Sequence, residues 1–107
     1  MARVWVPQEV PFDLTKAERF GEVRFVTAKD FYRIKNSEHN RELVNVIADA
    51  IREFDPREDW LLFAGSPYVF GLMCLAVGAR WKGQLSTVRF LRWSPQERDY
   101  FPLELEL

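Results

Sequence analysis

The sequence predicts an α/β fold in which strands and helices alternate along the chain. A continuous apolar run, Trp60 to Ala64, follows a charged turn and precedes a second apolar stretch of helical length. The last residues alternate strictly between apolar and polar, as an exposed strand does. We therefore expect one α/β domain over residues 1–107. We predict a small Rossmann-like sheet of strand–helix units (β-α-β-α-β-α) closed by a C-terminal antiparallel β-hairpin.

The first strand is predicted over Arg3 to Val6, and Pro7 closes it. A short helix follows it. Thr15 and Glu18 have the spacing of a capping box, in which each side chain accepts the other residue's free amide. We therefore expect this helix to run from Thr15 to Phe20.

The second strand is predicted over Glu22 to Ala28, and a long amphipathic helix lies further along the chain. Ser37 or Asn36 is suited to cap that helix. Asp55-Pro56 ends it, because a proline disfavours helical geometry in the residue before it. The residues with helical spacing form one apolar stripe: Leu43, Ile47, Ala50, Ile51 and Phe54.

The third strand, Trp60 to Ala64, is apolar at every position, so we expect both of its faces to be buried in a parallel sheet. Ser66 suits the N-cap of the next helix and Pro67 its first position. That helix, Tyr68 to Ala79, is apolar on nearly every side.

Two strands, Leu85 to Trp93 and Tyr100 to Leu107, form the predicted hairpin. The second strand places four apolar residues on one face: Phe101, Leu103, Leu105 and Leu107. Pro102 has no amide hydrogen to donate, so this strand is expected at a sheet edge.

Composition excludes several classes of protein. With 107 residues, 48% of them hydrophobic, the chain can bury a core and is not disordered. A net charge of -1 argues against nucleic acid as a partner. One cysteine, Cys74, rules out an internal disulfide and a multi-thiolate metal site, and it favours a reducing compartment. No apolar run is long enough to span a membrane. No metal and no cofactor is expected.

The strand-to-helix turn Gly65-Ser66-Pro67 is the first candidate site. Ligands of open α/β sheets bind beyond the carboxyl ends of the strands, where a helix N-terminus favours anions. Gly65 and Ser66 are therefore predicted to bind a small phosphate or nucleotide, with Lys29 and Arg33 from the loop after the second strand. The alternatives are an ordinary strand-to-helix turn and a solvated loop, since no GxGxxG motif and no P-loop lysine is present.

The aromatic side chains of the hairpin are the second candidate site. Phe90, Trp93 and Tyr100 are predicted to form a protein interface, because aromatic residues are enriched at such surfaces. The edge strand can also pair with another chain, and with the apolar helix it allows a homodimer. The alternative is that these aromatic residues complete the core.

The sequence offers no assembled catalytic group, and we expect no enzymatic activity. His39 is the only histidine, and no spacing gives it the oriented partner that a catalytic base needs. Cys74 lies in an apolar helix without a neighbouring base, so a packing role is expected for it.

The segment Asp59 to Pro67, the apolar helix after it and the hairpin from Arg89 to Leu105 resemble small, mostly uncharacterised α/β proteins encoded by bacteriophages. No catalytic residues come with this resemblance. It implies a phage origin and action in the bacterial host cytoplasm. We predict a non-enzymatic accessory protein that binds a host protein. The alternative is a phosphate-ligand or nucleotide-binding protein that uses the Gly65-Ser66-Pro67 turn.

Overall fold

The computed structural model describes residues 1–11, 13–28, 30–31 and 37–107. Lys29 and Arg33, two of the predicted ligand-binding residues, lie outside the described residues. The strands are β1 (Arg3–Gln8), β2 (Glu22–Thr27), β3 (Trp60–Leu62), β4 (Thr87–Ser94) and β5 (Asp99–Glu106). The helices are the 3₁₀ helix η1 (Thr15–Phe20), α1 (Glu38–Ile51) and α2 (Pro67–Arg80).

The five strands form one mixed sheet in the order β2-β1-β3-β4-β5. β1 pairs in parallel with β2 and β3, and β3 pairs in parallel with β4. Only β5 is antiparallel, and it pairs with β4 along its whole length, from Asp99 opposite Ser94 to Glu106 opposite Thr87. The prediction that this strand lies at a sheet edge is confirmed.

The predicted Rossmann-like sheet of β-α-β-α-β-α units with a separate closing hairpin is wrong. In a Rossmann sheet the third strand lies beside the second, whereas here β3 pairs with β1. The first connection is a 3₁₀ helix rather than an α-helix. The first hairpin strand, β4, belongs to the parallel part of the sheet, so the hairpin is not an addition to it. The α/β composition of the fold is consistent with the prediction.

The composition of two strands explains the observed order. β2 carries Glu22 and Arg24, which form an ion pair at 2.8 Å, and such charges suit an edge. β3 buries Leu61 and Leu62 on opposite faces, so it needs a neighbour on each side and cover on both faces. Placing β3 next to β1 leaves β2 at the edge.

The two faces of the sheet are covered differently. α1 and α2 pack on one face, here called the helical face, whose buried residues include Trp5, Leu61, Ile47 and Met73. η1 packs on the other, here called the η1 face, which buries Val4, Val6, Leu62, Leu91 and Tyr100. Both arrangements agree with right-handed crossovers, because the chain moves one way from β1 to β2 and the other way afterwards.

The predicted capping box at the start of η1 does not form. The residue before η1 is Leu14, and no side chain caps the helix. The Asp13 carboxylate instead accepts the Thr15 amide at 2.8 Å and the Thr15 hydroxyl. Thr15 is thereby engaged by Asp13, two residues earlier, instead of by Glu18.

β1 continues through Pro7, where the sequence predicted its end. β3 pairs with β1 only at Val4 and Trp5, so Pro7 lies beyond that ladder. Pairing with β2 resumes at Gln8, opposite Thr27. The missing amide of Pro7 therefore does not end the strand.

Candidate functional site

The turn after β3 has the shape that a close backbone approach requires. Gly65 has a φ of +70°, and a Cβ there would lie 2.7 Å from Gln8 Oε1. The object that approaches Gly65 is therefore the protein's own Gln8 side chain. A larger residue at position 65 meets both backbone strain and this contact.

The polar groups of this turn bind one another. The Ser66 amide donates to Gln8 Oε1 at 2.8 Å, and the Ser66 hydroxyl accepts the Tyr68 amide at 3.3 Å. Ser66 is itself buried. These bonds join β1 to the start of α2, and they occupy two amides that an anion would need. The phosphate site at Gly65 and Ser66 stays a prediction, and nothing in this geometry favours it over an ordinary strand-to-helix turn.

The two side chains considered for catalysis have local structural roles. His39 Nε2 lies 2.7 Å from the Asp30 carbonyl oxygen, which ties the start of α1 to the preceding loop. Burial raises the pKa of the Cys74 thiol to about 11, so almost none of it is thiolate at neutral pH. Among the described residues no cluster of three metal-ligating side chains occurs.

The three predicted interface residues do not lie on one surface. Trp93 and Tyr100 are directly paired across β4 and β5 and lie on the η1 face. Phe90 is an odd number of residues from Trp93, so it lies on the helical face, partly buried. Tyr100 is buried, whereas Trp93 is 41% exposed. The hairpin thus has two separate surfaces.

On the η1 face, Trp93 is held from both sides. Its ring packs edge-on against Tyr100 at a centroid distance of 5.2 Å. The Lys16 ammonium lies 5.9 Å from the Trp93 ring and donates to the Arg98 carbonyl oxygen at 2.5 Å. We call Trp93 with these neighbours the Trp93 surface. An aromatic ring fixed in this way loses little side-chain entropy when it binds a partner.

Charged groups border the Trp93 surface at Tyr100. Arg19 pairs with the Asp99 carboxylate at 2.6 Å and also donates to the Tyr100 carbonyl oxygen at 3.3 Å. The Tyr100 amide donates to Asp99 at 2.8 Å, and this bond, followed by Arg19, lowers the pKa of Asp99. Burial raises the pKa of Tyr100. A fixed tryptophan within a polar rim has the composition of a binding hot spot.

On the helical face, strand β5 is not covered. Phe101, Leu103 and Leu105 of β5 are each more than 40% exposed, and they lie opposite Arg92, Phe90 and Val88. Beside them is a groove of about 360 Å³, lined by Phe63, Phe70, Phe90, Leu91, Arg92, Phe101 and Leu103. α1 and α2 leave this part of the sheet open.

Sequence reasoning missed the positions of two residues, one beside the open groove and one in the interior. Phe63 was predicted within β3, but it lies just beyond the strand, 49% exposed, with its ring 5.0 Å from Phe70. Asp59 follows a charged turn and looks solvated, yet it is 2% exposed. Its carboxylate accepts the Trp5 indole N–H, the Arg3 amide and the Asp55 amide. A carboxylate directly before a buried strand was the available signal for this role.

Comparison with known proteins found one family. The family model described as Phage Pam3 gp32-like protein matches residues 2–107. This match confirms the predicted resemblance to proteins encoded by bacteriophages. Searches of curated proteins and of solved structures found no match. In the part of the chain that the structure describes, no helix is both long and apolar enough to cross a membrane.

Proposed function

Since the chain belongs to the Phage Pam3 gp32-like protein family, we propose that it is a phage accessory protein that binds a host protein in the bacterial cytoplasm. The binding site of this proposal is the Trp93 surface, and the partner is bound without chemical change. The main support for this proposal is that Trp93 stays 41% exposed although Tyr100 and Lys16 hold its ring in place.

The composition of the Trp93 surface suits a partner that binds and dissociates. Interfaces between separately folded proteins combine a few aromatic and arginine side chains with a polar rim, and tryptophan is enriched among their energetic centres. Lys16 supplies positive charge beside the ring, Arg19 adds positive charge at Tyr100, and Asp99 neutralises part of it. We therefore expect the partner to present an apolar pocket with acidic residues at its rim.

The test combines crosslinking with a matched pair of variants. A photo-reactive amino acid at Glu97, in the exposed turn beside Trp93, is used to trap the partner in bacterial host cells. The trapped protein is identified by mass spectrometry and purified, and its affinity for the chain is measured by calorimetry. We expect Trp93→Ala to weaken binding at least about tenfold, as for a hot-spot residue.

The control is Phe25→Ala. Phe25 is 45% exposed on β2, at the far edge of the same face, so it matches Trp93 in exposure and in aromatic character. Phe25→Ala should leave the affinity for the partner unchanged. Equal affinities for wild type and Trp93→Ala would refute the proposed binding site. Absence of any trapped host protein would refute the proposed function.

A further inference from the structure

Helix α2 is apolar on all sides but is covered on only some of them. No charged residue occurs from Pro67 to Ala79. Val69, Met73 and Val77 are buried against the sheet, whereas Tyr68 and Leu75, which share the outward crest, are 74% and 70% exposed. A helix that is hydrophobic all round is normally buried all round. The crest of α2 therefore requires a cover.

The flank of α2 that faces the open part of the sheet carries small residues beyond Phe70. Phe70 marks this flank, because its ring lies near Phe63 and Phe90. Cys74 follows Phe70 by one turn, with Gly71 and Gly78 beside it. A Cβ at either glycine would meet nothing within 4 Å. Another helix can therefore approach this flank closely while resting on β4 and β5.

The free edge of β5 is unsuited to pairing with another strand. The Leu107 amide donates to the carbonyl oxygen of Ser86, just before β4. In an antiparallel pair every second residue bonds in this way, so the residues between them direct their backbone groups to the open edge. The outward residues include Pro102, which has no amide hydrogen, and Glu104. If β5 of two copies paired in antiparallel fashion, the two Glu104 carboxylates would lie close together. Prolines and charges at an edge oppose strand addition. The cover must pack on the face.

The exposed apolar surfaces of α2 and β5 have the size of a dimer interface. Phe63, Tyr68, Leu75, Phe101, Leu103 and Leu105 are each 41–74% exposed. Together they present roughly 600 Å² of apolar surface, at or above the largest patch on a typical monomer. Two copies would bury about 1,200 Å² from these residues alone, the lower bound for a specific interface.

The surface is also complementary to itself. α2 rises above the sheet beside a strip about one helix wide, which consists of the partly covered β4 and the uncovered β5. A two-fold axis parallel to the strands places each α2 on the other copy's strip. The crests then meet the partner's β5, and the small-residue flanks meet each other. With a net charge of -1, two copies repel each other little.

We propose that the chain forms a two-fold homodimer in which Tyr68 and Leu75 of each α2 pack on Phe101, Leu103 and Phe63 of the other copy. This interface is separate from the Trp93 surface, which lies on the opposite face of the sheet. Homodimer interfaces are more apolar than those of separable complexes, which matches the difference between the two surfaces.

Sedimentation equilibrium of the purified full chain tests the proposal. We expect a dimer for the wild type, and monomers for Leu103→Glu, Leu75→Lys and Gly71→Trp. All three positions are open in the monomer, so folding should be retained, and circular dichroism verifies it. Phe25→Glu is the control, because Phe25 is equally exposed on the other face, and it should remain dimeric.

A mixing experiment tests the reciprocal geometry. In a mixed pair, the lysine introduced by Leu75→Lys would lie on the glutamate introduced by Leu103→Glu, while the second contact keeps its wild-type residues. We expect the two monomeric variants to dimerise when combined. A monomeric wild type, dimeric Leu103→Glu or Leu75→Lys variants, or failure of the two variants to combine would overturn the proposal.

Discussion

The two faces of the β4–β5 hairpin differ in how their aromatic residues are held. On the η1 face, Tyr100 is buried and Trp93 lies between it and Lys16, within a rim of charges. On the helical face, Phe101 and Leu103 are uncovered beside an equally apolar helix. Neighbouring residues of one strand thus serve surfaces of opposite character. The strict alternation of side chains along β5 is sufficient to produce this difference.

The largest expected effect is a loss of stability of the whole fold, on which both surfaces depend. Asp59→Ala leaves the buried Trp5 indole, the Arg3 amide and the Asp55 amide without their acceptor, which lies 2.8–2.9 Å away in each case. We expect the free energy of unfolding to fall by roughly 3–5 kcal/mol, measured by urea denaturation, since each buried unpaired donor costs ~1–3 kcal/mol.

Two comparisons control for that result. Asp59→Asn keeps one acceptor oxygen, so its loss should be smaller than that of Asp59→Ala. Asp49→Ala removes an exposed carboxylate from α1 and should change the stability by less than about 0.5 kcal/mol. Similar stabilities for Asp59→Ala and Asp49→Ala would contradict the structural role of Asp59.

An intermediate effect separates the two surfaces at adjacent positions. Tyr100→Ala should destabilise the fold by about 3 kcal/mol, because it empties a buried aromatic site and removes the support of Trp93. Phe101→Ala, next in sequence, should cost less than about 1 kcal/mol in the monomer, because Phe101 is already 43% exposed.

The two variants should affect different interactions, one partner binding and the other dimerisation. Tyr100→Ala should weaken host-partner binding. Under conditions in which this variant is folded, it should still form the dimer. Phe101→Ala should weaken the dimer and keep partner binding. If both variants affect the same readout, the hairpin has one functional surface rather than two.

The smallest expected effect is a dependence on acidic pH. A hydrogen bond from the Tyr100 amide lowers the pKa of Asp99, one from the Arg57 amide lowers that of Asp55, and one from the Thr15 side chain lowers that of Asp13. Since each pKa is lower in the folded state, the stabilisation is present above the unfolded pKa of about 3.9 and is lost as pH falls through the folded value.

Thermal unfolding between neutral and acidic pH measures this dependence. We expect a modest fall in Tm below about pH 4, and a shallower fall for Asp99→Asn. The acidic residues expected at the partner's rim are protonated in the same range, so partner binding should weaken. The dimer should not weaken, because Arg92, the charged residue of its groove, keeps its charge there. A Tm profile that Asp99→Asn leaves unchanged would exclude this carboxylate as a source of the acid sensitivity.

Most individual elements could be predicted from local sequence signals. The apolar stripe from Leu43 to Phe54 indicated α1, and Ser66-Pro67 indicated the start of α2. Pro102 indicated the edge position of β5. Each signal depends on residues close together in the chain, where spacing and backbone chemistry decide the structure.

Strand order and the faces of the sheet were harder to predict because they depend on distant residues. β3 pairs with β1 across more than fifty residues, and no local pattern distinguishes this from pairing with β2. The predicted interface of Phe90, Trp93 and Tyr100 did not separate the two faces of β4, although an odd spacing along a strand reverses the face. The buried position of Asp59 likewise needs Trp5, far away in sequence.

Pro102 limits how far the molecule can assemble. A sheet with two open edges can add copies head to tail, β2 of one against β5 of the next, and such contacts lead to filaments without an end. One strand without a full set of donors terminates that growth at β5. Assembly is thereby directed to the faces of the sheet. A two-fold pair there buries the interface of both copies and leaves none for a third.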